Sequence, residues 1–129
     1  MRNSSERRRT DSPSRRTTIL IVTDDGDLGA ASTRVLEQAG YDVVTATHAG
    51  HAFLAALTRT RIDVLISDMT LDDMSGETLA ATLRRYHRGL QGVYISNQIE
   101  ADSRRVLVRP FTREELLHAV KTFEIATTS

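Results

Sequence analysis

Two short apolar runs in this chain each stop on carboxylates. Thr18-Ile19-Leu20-Ile21-Val22-Thr23 leads into Asp24-Asp25, and Ile62-Asp63-Val64-Leu65-Ile66-Ser67 leads into Asp68. Runs this short, rich in β-branched residues and almost without polar interruption, read as strands covered on both faces. Two such strands side by side bring Asp24, Asp25 and Asp68 to one edge of a sheet. Carboxylates so close repel one another unless a cation or a proton sits among them. An oxygen-rich cluster suits a hard cation such as Mg²⁺. Asp68 also opens a Gly-containing loop, Met69 to Gly76, which makes it the candidate for chemistry, and phosphate chemistry above others.

From Thr18 onward the pattern alternates between strand and helix. Leu28, Ala31, Ser32, Val35, Leu36 and Ala39 recur at helical spacing, and Gly40 stands where a glycine ends a helix. Residues 42–46 form a short second strand. A helix over residues 50–58 offers Phe53, Leu54 and Leu57 on one side. Leu79, Leu83 and Tyr86 mark a third helix, loosely capped near Ser75-Gly76. Residues 92–96 and 105–108 are the fourth and fifth strands. Thr112-Arg113-Glu114-Glu115 is a capping box ahead of a helix whose buried stripe is Leu116, Leu117, Val120 and Phe123. This alternation predicts an α/β fold with a doubly wound five-stranded parallel sheet. In the order 2-1-3-4-5 the ligand crevice opens between the C-terminal ends of the first and third strands, where the three aspartates lie. Between Ser96 and the fifth strand only residues 97–104 remain, fewer than the ~10–12 that a helical crossover takes. The fourth helix is expected to be missing or very short.

Composition excludes several classes. The 129 residues are enough for one domain, and 40% are hydrophobic. Without cysteine there is no disulfide, thiol catalysis or Cys-ligated metal. His48, His51, His87 and His118 make no H-E-x-x-H pattern, and His48 and His51 read as solvated. No apolar stretch approaches the ~20 residues that span a bilayer, and the basic N-terminus lacks the apolar core of a secretory signal. A cytoplasmic location is expected. The formal net charge of zero is unevenly spread: residues 1–17 carry six arginines against Glu6 and Asp11, a net +4, leaving −4 for the remainder. Residues 1–16 are expected to be a disordered basic tail, either a solvated leader or a tether to an anionic partner.

Taken together, the residues at the strand ends resemble the receiver domain of bacterial response regulators, over residues 17 to about 123. Asp24-Asp25 matches that family's acidic pair after the first strand. Asp68 through Gly76 matches its phosphoacceptor loop, Asp-x-x-Leu-Pro-x-Met-x-Gly, with Asp72 for the proline. Ser96 falls at the Ser/Thr that ends the fourth strand, and Arg109-Pro110-Phe111 at Lys-Pro-Phe after the fifth. The resemblance implies a flavodoxin-like receiver domain over residues 17–125. It implies that Asp68 is the phosphorylated residue, taking its phosphoryl group from a histidine kinase or histidine phosphotransfer protein. Mg²⁺ would be held by Asp24, Asp25, Asp68 and the backbone carbonyl of Thr70. Ser96 and Arg109 would bind the phosphoryl group, with Arg109 aimed inward by a cis bond to Pro110. Such a protein is no enzyme of its own and signals by contact with other proteins.

Three further departures from the family bear on the switch. Arg109 puts a planar fork where a lysine is usual, long enough to reach Asp68 even without phosphate. Val106 stands where a Tyr or Phe usually rotates on phosphorylation. The shortened fourth crossover removes a surface that relatives use for output. The expectation is a stand-alone receiver without a DNA-binding domain. Its rival is a degenerate receiver, a constitutive interaction module that never turns over phosphate. A nucleotide- or flavin-binding domain is disfavoured, because the turn Thr23 to Gly29 is acidic rather than glycine-rich. Asp27 is expected to be an ordinary helix cap or loop residue, and Asp72 and Asp73 solvated loop charges.

Overall fold

Strands and helices alternate as the hydrophobic pattern demands. The structure, a computed structural model, describes residues 16–59, 61–98 and 105–128. The elements are β1 (Thr18–Val22), α1 (Gly26–Gln38), β2 (Asp42–Ala46), α2 (Ala49–Leu57), β3 (Val64–Asp68), α3 (Gly76–Leu83), β4 (Gln91–Ser96), β5 (Val106–Val108) and α4 (Arg113–Thr128). All strand pairs are parallel, in the order β2-β1-β3-β4-β5. The expected basic tail falls almost wholly on residues 1–15, outside the described residues. So does most of the expected short crossover, at residues 99–104. Among the described residues there are four helices.

Alternate residues of each strand feed two separate apolar layers. Leu20, Val22 and Leu65 pack with Ala52, Ala56, Leu79 and Leu83 of α2 and α3. Ile19, Ile21, Val64 and Ile66 pack on the other face with Leu36 of α1 and with Leu116 and Val120 of α4. The side chain of Phe123 lies outside the described residues. The layering explains why β1, β3 and β4 read as apolar runs: neither of their faces meets water.

Local stops and starts follow the capping rules. Gly40 has φ +100°, the left-handed conformation expected of the glycine after α1. The capping box of α4 is formed: Thr112 Oγ1 accepts from Glu115 N–H at 3.0 Å, and Glu115 Oε1 accepts from Thr112 N–H at 2.8 Å. The start of α3 is well capped rather than loose, since Ser75 Oγ accepts the Thr78 N–H at 3.0 Å. The cap of α1 is Asp25, not Asp27, which instead sits in the first turn.

Two apolar assignments change. The side of α2 that meets the sheet is Ala49, Ala52 and Ala56, while Leu54 and Leu57 are 66% and 72% exposed. Small side chains let the helix lie close to the strands and turn its leucines outward. Tyr86 lies beyond the end of α3 and is 67% exposed. His87 explains the break. Its ring is buried, accepting the Ile62 N–H on Nδ1 at 3.1 Å and donating from Nε2 to the Ala56 carbonyl at 3.0 Å. The chain leaves the helix to place that ring between α2 and the start of β3. His87→Leu would leave the buried Ile62 N–H without a partner and the Ala56 carbonyl with only the longer bond from the Arg59 N–H, at 3.4 Å, and an orphaned buried donor costs roughly 1–3 kcal/mol. Urea denaturation should show a lower midpoint with an unchanged slope, corresponding to about 2 kcal/mol or more. An unchanged midpoint would deny the ring this role.

Candidate functional site

Register alone gathers the site. Val22 pairs with Ser67, so Thr23 and Asp68 leave the sheet side by side. Asp68 pairs with Ile95 and Ser96 with Val108, which puts Ser96 and Arg109 on the same edge. Arg109 N–H donates to the Ser96 carbonyl at 2.8 Å and fixes where that side chain begins. Asp24, Asp68, Met69, Thr70, Ser96, and Arg109 all line one cleft of about 440 Å³ at this edge. The Arg109-Pro110 bond is cis.

The loop after Asp68 is held tightly. Met69 N–H donates to the Ile95 carbonyl at 2.8 Å, and Gly76 N–H returns to the Met69 carbonyl at 2.9 Å. Thr70 and Ser75 form an antiparallel bridge around the turn. A Cβ on Gly76 would lie 2.5 Å from the Asp68 carbonyl oxygen, so only glycine permits this approach.

Asp68 lines the cleft with its two oxygens placed differently. Its Oδ2 accepts from the Thr23 hydroxyl at 3.0 Å. Its Oδ1 is buried without a hydrogen-bond partner. Burial pushes the carboxyl above its ordinary value of 3.8. Repulsion from Asp24 adds to this, while the Thr23 hydroxyl, the Asp24 N–H and the Arg109 charge oppose it. A buried carboxylate oxygen lacking any donor is costly unless something positive meets it.

Asp25 is placed differently from its neighbour. Its Oδ1 accepts the Leu28 N–H at 3.0 Å and its Oδ2 pairs with Arg109 Nη2 at 2.5 Å. The Leu28 N–H and then Arg109 hold its carboxyl below the usual 3.8. Asp25 lines a second cavity with Arg109, Pro110 and Phe111, beside the cleft rather than inside it. Arg109 thus reaches Asp25, not Asp68 as its length allowed. Among the described residues no three Asp, Glu, His or Cys side chains already converge as a metal site. The donors on the cleft, Asp68 and Asp24 with Thr70, are nevertheless all oxygen and fit a hard cation, whereas both oxygens of Asp25 are committed to Arg109 and the Leu28 N–H.

Several roles were not legible from sequence. Thr23 ends an apolar run and reads as strand, yet its hydroxyl also accepts the Asp25 N–H at 3.1 Å and so ties the acidic pair to Asp68. A lone hydroxyl at a buried strand end was the available signal. Asp73 is not a free loop charge. Its two oxygens accept the Ala49 and Gly50 N–H groups, each at 3.2 Å, and cap α2 from outside. Burial works against its ionisation, but those two N–H groups win and its carboxyl is lowered. His48 and His51 are exposed as expected, with His48 capping α2.

A family model described as "Response regulator receiver domain" matches residues 19–121. The chain is 29% identical over 112 residues to the transcriptional regulatory protein PrrA of Mycobacterium tuberculosis, covering 80% of this chain and 48% of that protein. It is 27% identical over 114 residues to the sensor kinase CckA of Brucella abortus, covering 81% of this chain and 12% of that one. The chain thus spans half or less of the length of these curated relatives. A two-component response regulator from Clostridium difficile superposes with a TM-score of 0.76 at 24% identity, over 88% of this chain and all of that one. The receiver domain of the hybrid histidine kinase CckA superposes at 0.71 with 29% identity, over 82% of this chain and 97% of that one.

The raised Asp68 carboxyl has a measurable consequence. Its folded value lies above its unfolded value of about 3.8, so the stability that protonation lends is complete below that pH and is lost as pH rises through the folded value. In metal-free buffer at neutral pH, Asp68→Asn should melt above the wild type, and the gap should narrow as the solution is acidified. A gap that widens toward low pH would contradict the burial of an ionised group.

Proposed function

Because this chain belongs to the response regulator receiver family, we propose that Asp68 accepts a phosphoryl group from a phosphohistidine on a histidine kinase or histidine phosphotransfer protein. One observation carries the reading: the Asp68 Oδ1 is buried and unpaired in a cleft that Ser96 and Arg109 also line. In the transfer, Asp68 Oδ1 forms an oxygen–phosphorus bond as the phosphorus–nitrogen bond of the donor breaks, and the imidazole leaves with that electron pair. Thr23 holds the other oxygen, so the nucleophile keeps one orientation. The Ser96 hydroxyl and the Arg109 guanidinium donate to the phosphoryl oxygens, where charge develops. Mg²⁺ held by Asp24, Asp25, Asp68 and the Thr70 carbonyl would supply the remaining charge neutralisation.

The chain is then an acceptor that signals by contact with another protein in the cytoplasm, not an enzyme with a turnover of its own. Among its described residues no helix is long and apolar enough to cross a membrane. A second reading, a constitutive interaction module, draws on a single observation: the cation meant for phosphate is already committed to Asp25. Intact-mass measurement after incubation with acetyl phosphate and Mg²⁺ separates the two. The wild type should gain one phosphoryl mass and Asp68→Asn none. Equal labelling of both would refute the assignment of Asp68, and labelling of neither would favour the constitutive module.

A further inference from the structure

Asp25 has one oxygen committed to a helix and one committed to an arginine. Oδ1 caps α1 through the Leu28 N–H, and Oδ2 carries the guanidinium of Arg109. A cation served by the acidic pair needs Oδ2, since taking Oδ1 would uncap the helix. A guanidinium and a divalent cation on one carboxylate oxygen would repel each other. Arg109, like Asn97, also borders both spaces: it lines the Asp68 cleft and the side cavity that contains Asp25. Its backbone is anchored to the Ser96 carbonyl, so a side chain leaving Asp25 stays within reach of the cleft. The two side chains are each 33% exposed, which leaves the pair open to exchange with solutes.

We infer that Arg109 and a divalent cation exchange on Asp25 Oδ2, so that loading of the cation is what releases Arg109 toward Asp68. This rests on the receiver reading and adds an order to it. Without a cation, the acidic pair is half neutralised by Arg109, whose guanidinium is then not available to a phosphoryl group. With one, Asp25 turns to the cation and Arg109 becomes a phosphate ligand. The substitution of a fork for a compact ammonium then makes Arg109 a lock on the metal site as well as a ligand in it. The cost is cation affinity, lowered by whatever the ion pair contributes.

The test uses the full chain, labelled with ¹⁵N and titrated with Mg²⁺ at constant ionic strength. The Arg109 Nε–Hε signal is followed with the amides of Met69 and Thr70, and calorimetry gives the affinity. The guanidinium signal should move on the same isotherm as the two amides. Arg109→Gln should bind Mg²⁺ more tightly by a factor of about 2–5, the weight of a part-exposed ion pair. Arg109→Lys, which keeps the charge and loses the fork, replaces it if the Gln variant does not fold. Asp25→Asn keeps a competent helix cap and should leave the guanidinium signal indifferent to Mg²⁺. If Met69 and Thr70 saturate while the guanidinium signal stays in place and Arg109→Gln binds no more tightly, the exchange is refuted and the receiver reading stands. If no signal responds to Mg²⁺, both are overturned.

Discussion

The parallel pairing of β1, β3 and β4 is the constraint on which everything at the cleft depends. Each strand is buried on both faces, so its register is fixed by the layers that α2 and α3 build on one side and α1 and α4 on the other. A slip of one residue would send each strand's side chains to the opposite layer. With the register held, Thr23, Asp68, Ser96 and Arg109 must emerge at the same edge. Gly76 then lets the chain fold back against the Asp68 carbonyl, which closes one wall of the cleft.

Within that frame the charges are divided rather than pooled. Thr23 satisfies one oxygen of Asp68 and leaves the other bare. Arg109 satisfies Asp25, which also serves as the cap of α1. Asp24 is left to face Asp68 across the cleft, and the repulsion between them helps to raise the Asp68 carboxyl. The arrangement is stable enough to fold, yet it holds one carboxylate oxygen in a state that a cation or a phosphoryl group would relieve.

Much of this was legible in the sequence, because strands buried on both faces leave a plain signal. The alternation of strands and helices, the capping box at Thr112 and the glycine after α1 follow from periodicity and cap chemistry, and the order 2-1-3-4-5 is a common arrangement of doubly wound sheets. What escaped depends on tertiary contacts that no local pattern encodes. Asp73 looks like a loop charge until α2 arrives to be capped by it. Leu54 and Leu57 look like a packing face, but Ala52 and Ala56 allow the closer approach and take their place. Tyr86 continues the helical spacing of Leu79 and Leu83, yet the hydrogen bonds of His87 end the helix first. Asp24 and Asp25 are adjacent in sequence and read as one site. The N-cap requirement of α1 and the reach of Arg109 separate them.

Amide NMR with beryllofluoride and Mg²⁺ tests the central claim most directly, since beryllofluoride occupies the place of a phosphoryl group on a carboxylate. If the strand ends around Asp68 form a phosphoryl site, the large shifts will fall in the loops after β1, β3, β4 and β5, with Met69, Thr70, Asn97 and Arg109 among them. Little should reach Leu107 or α4, because Val106 has no ring to rotate against its cross-strand neighbour Tyr94. Silence at Met69 and Thr70 would contradict the site, and large changes running through β5 and α4 would contradict its local character.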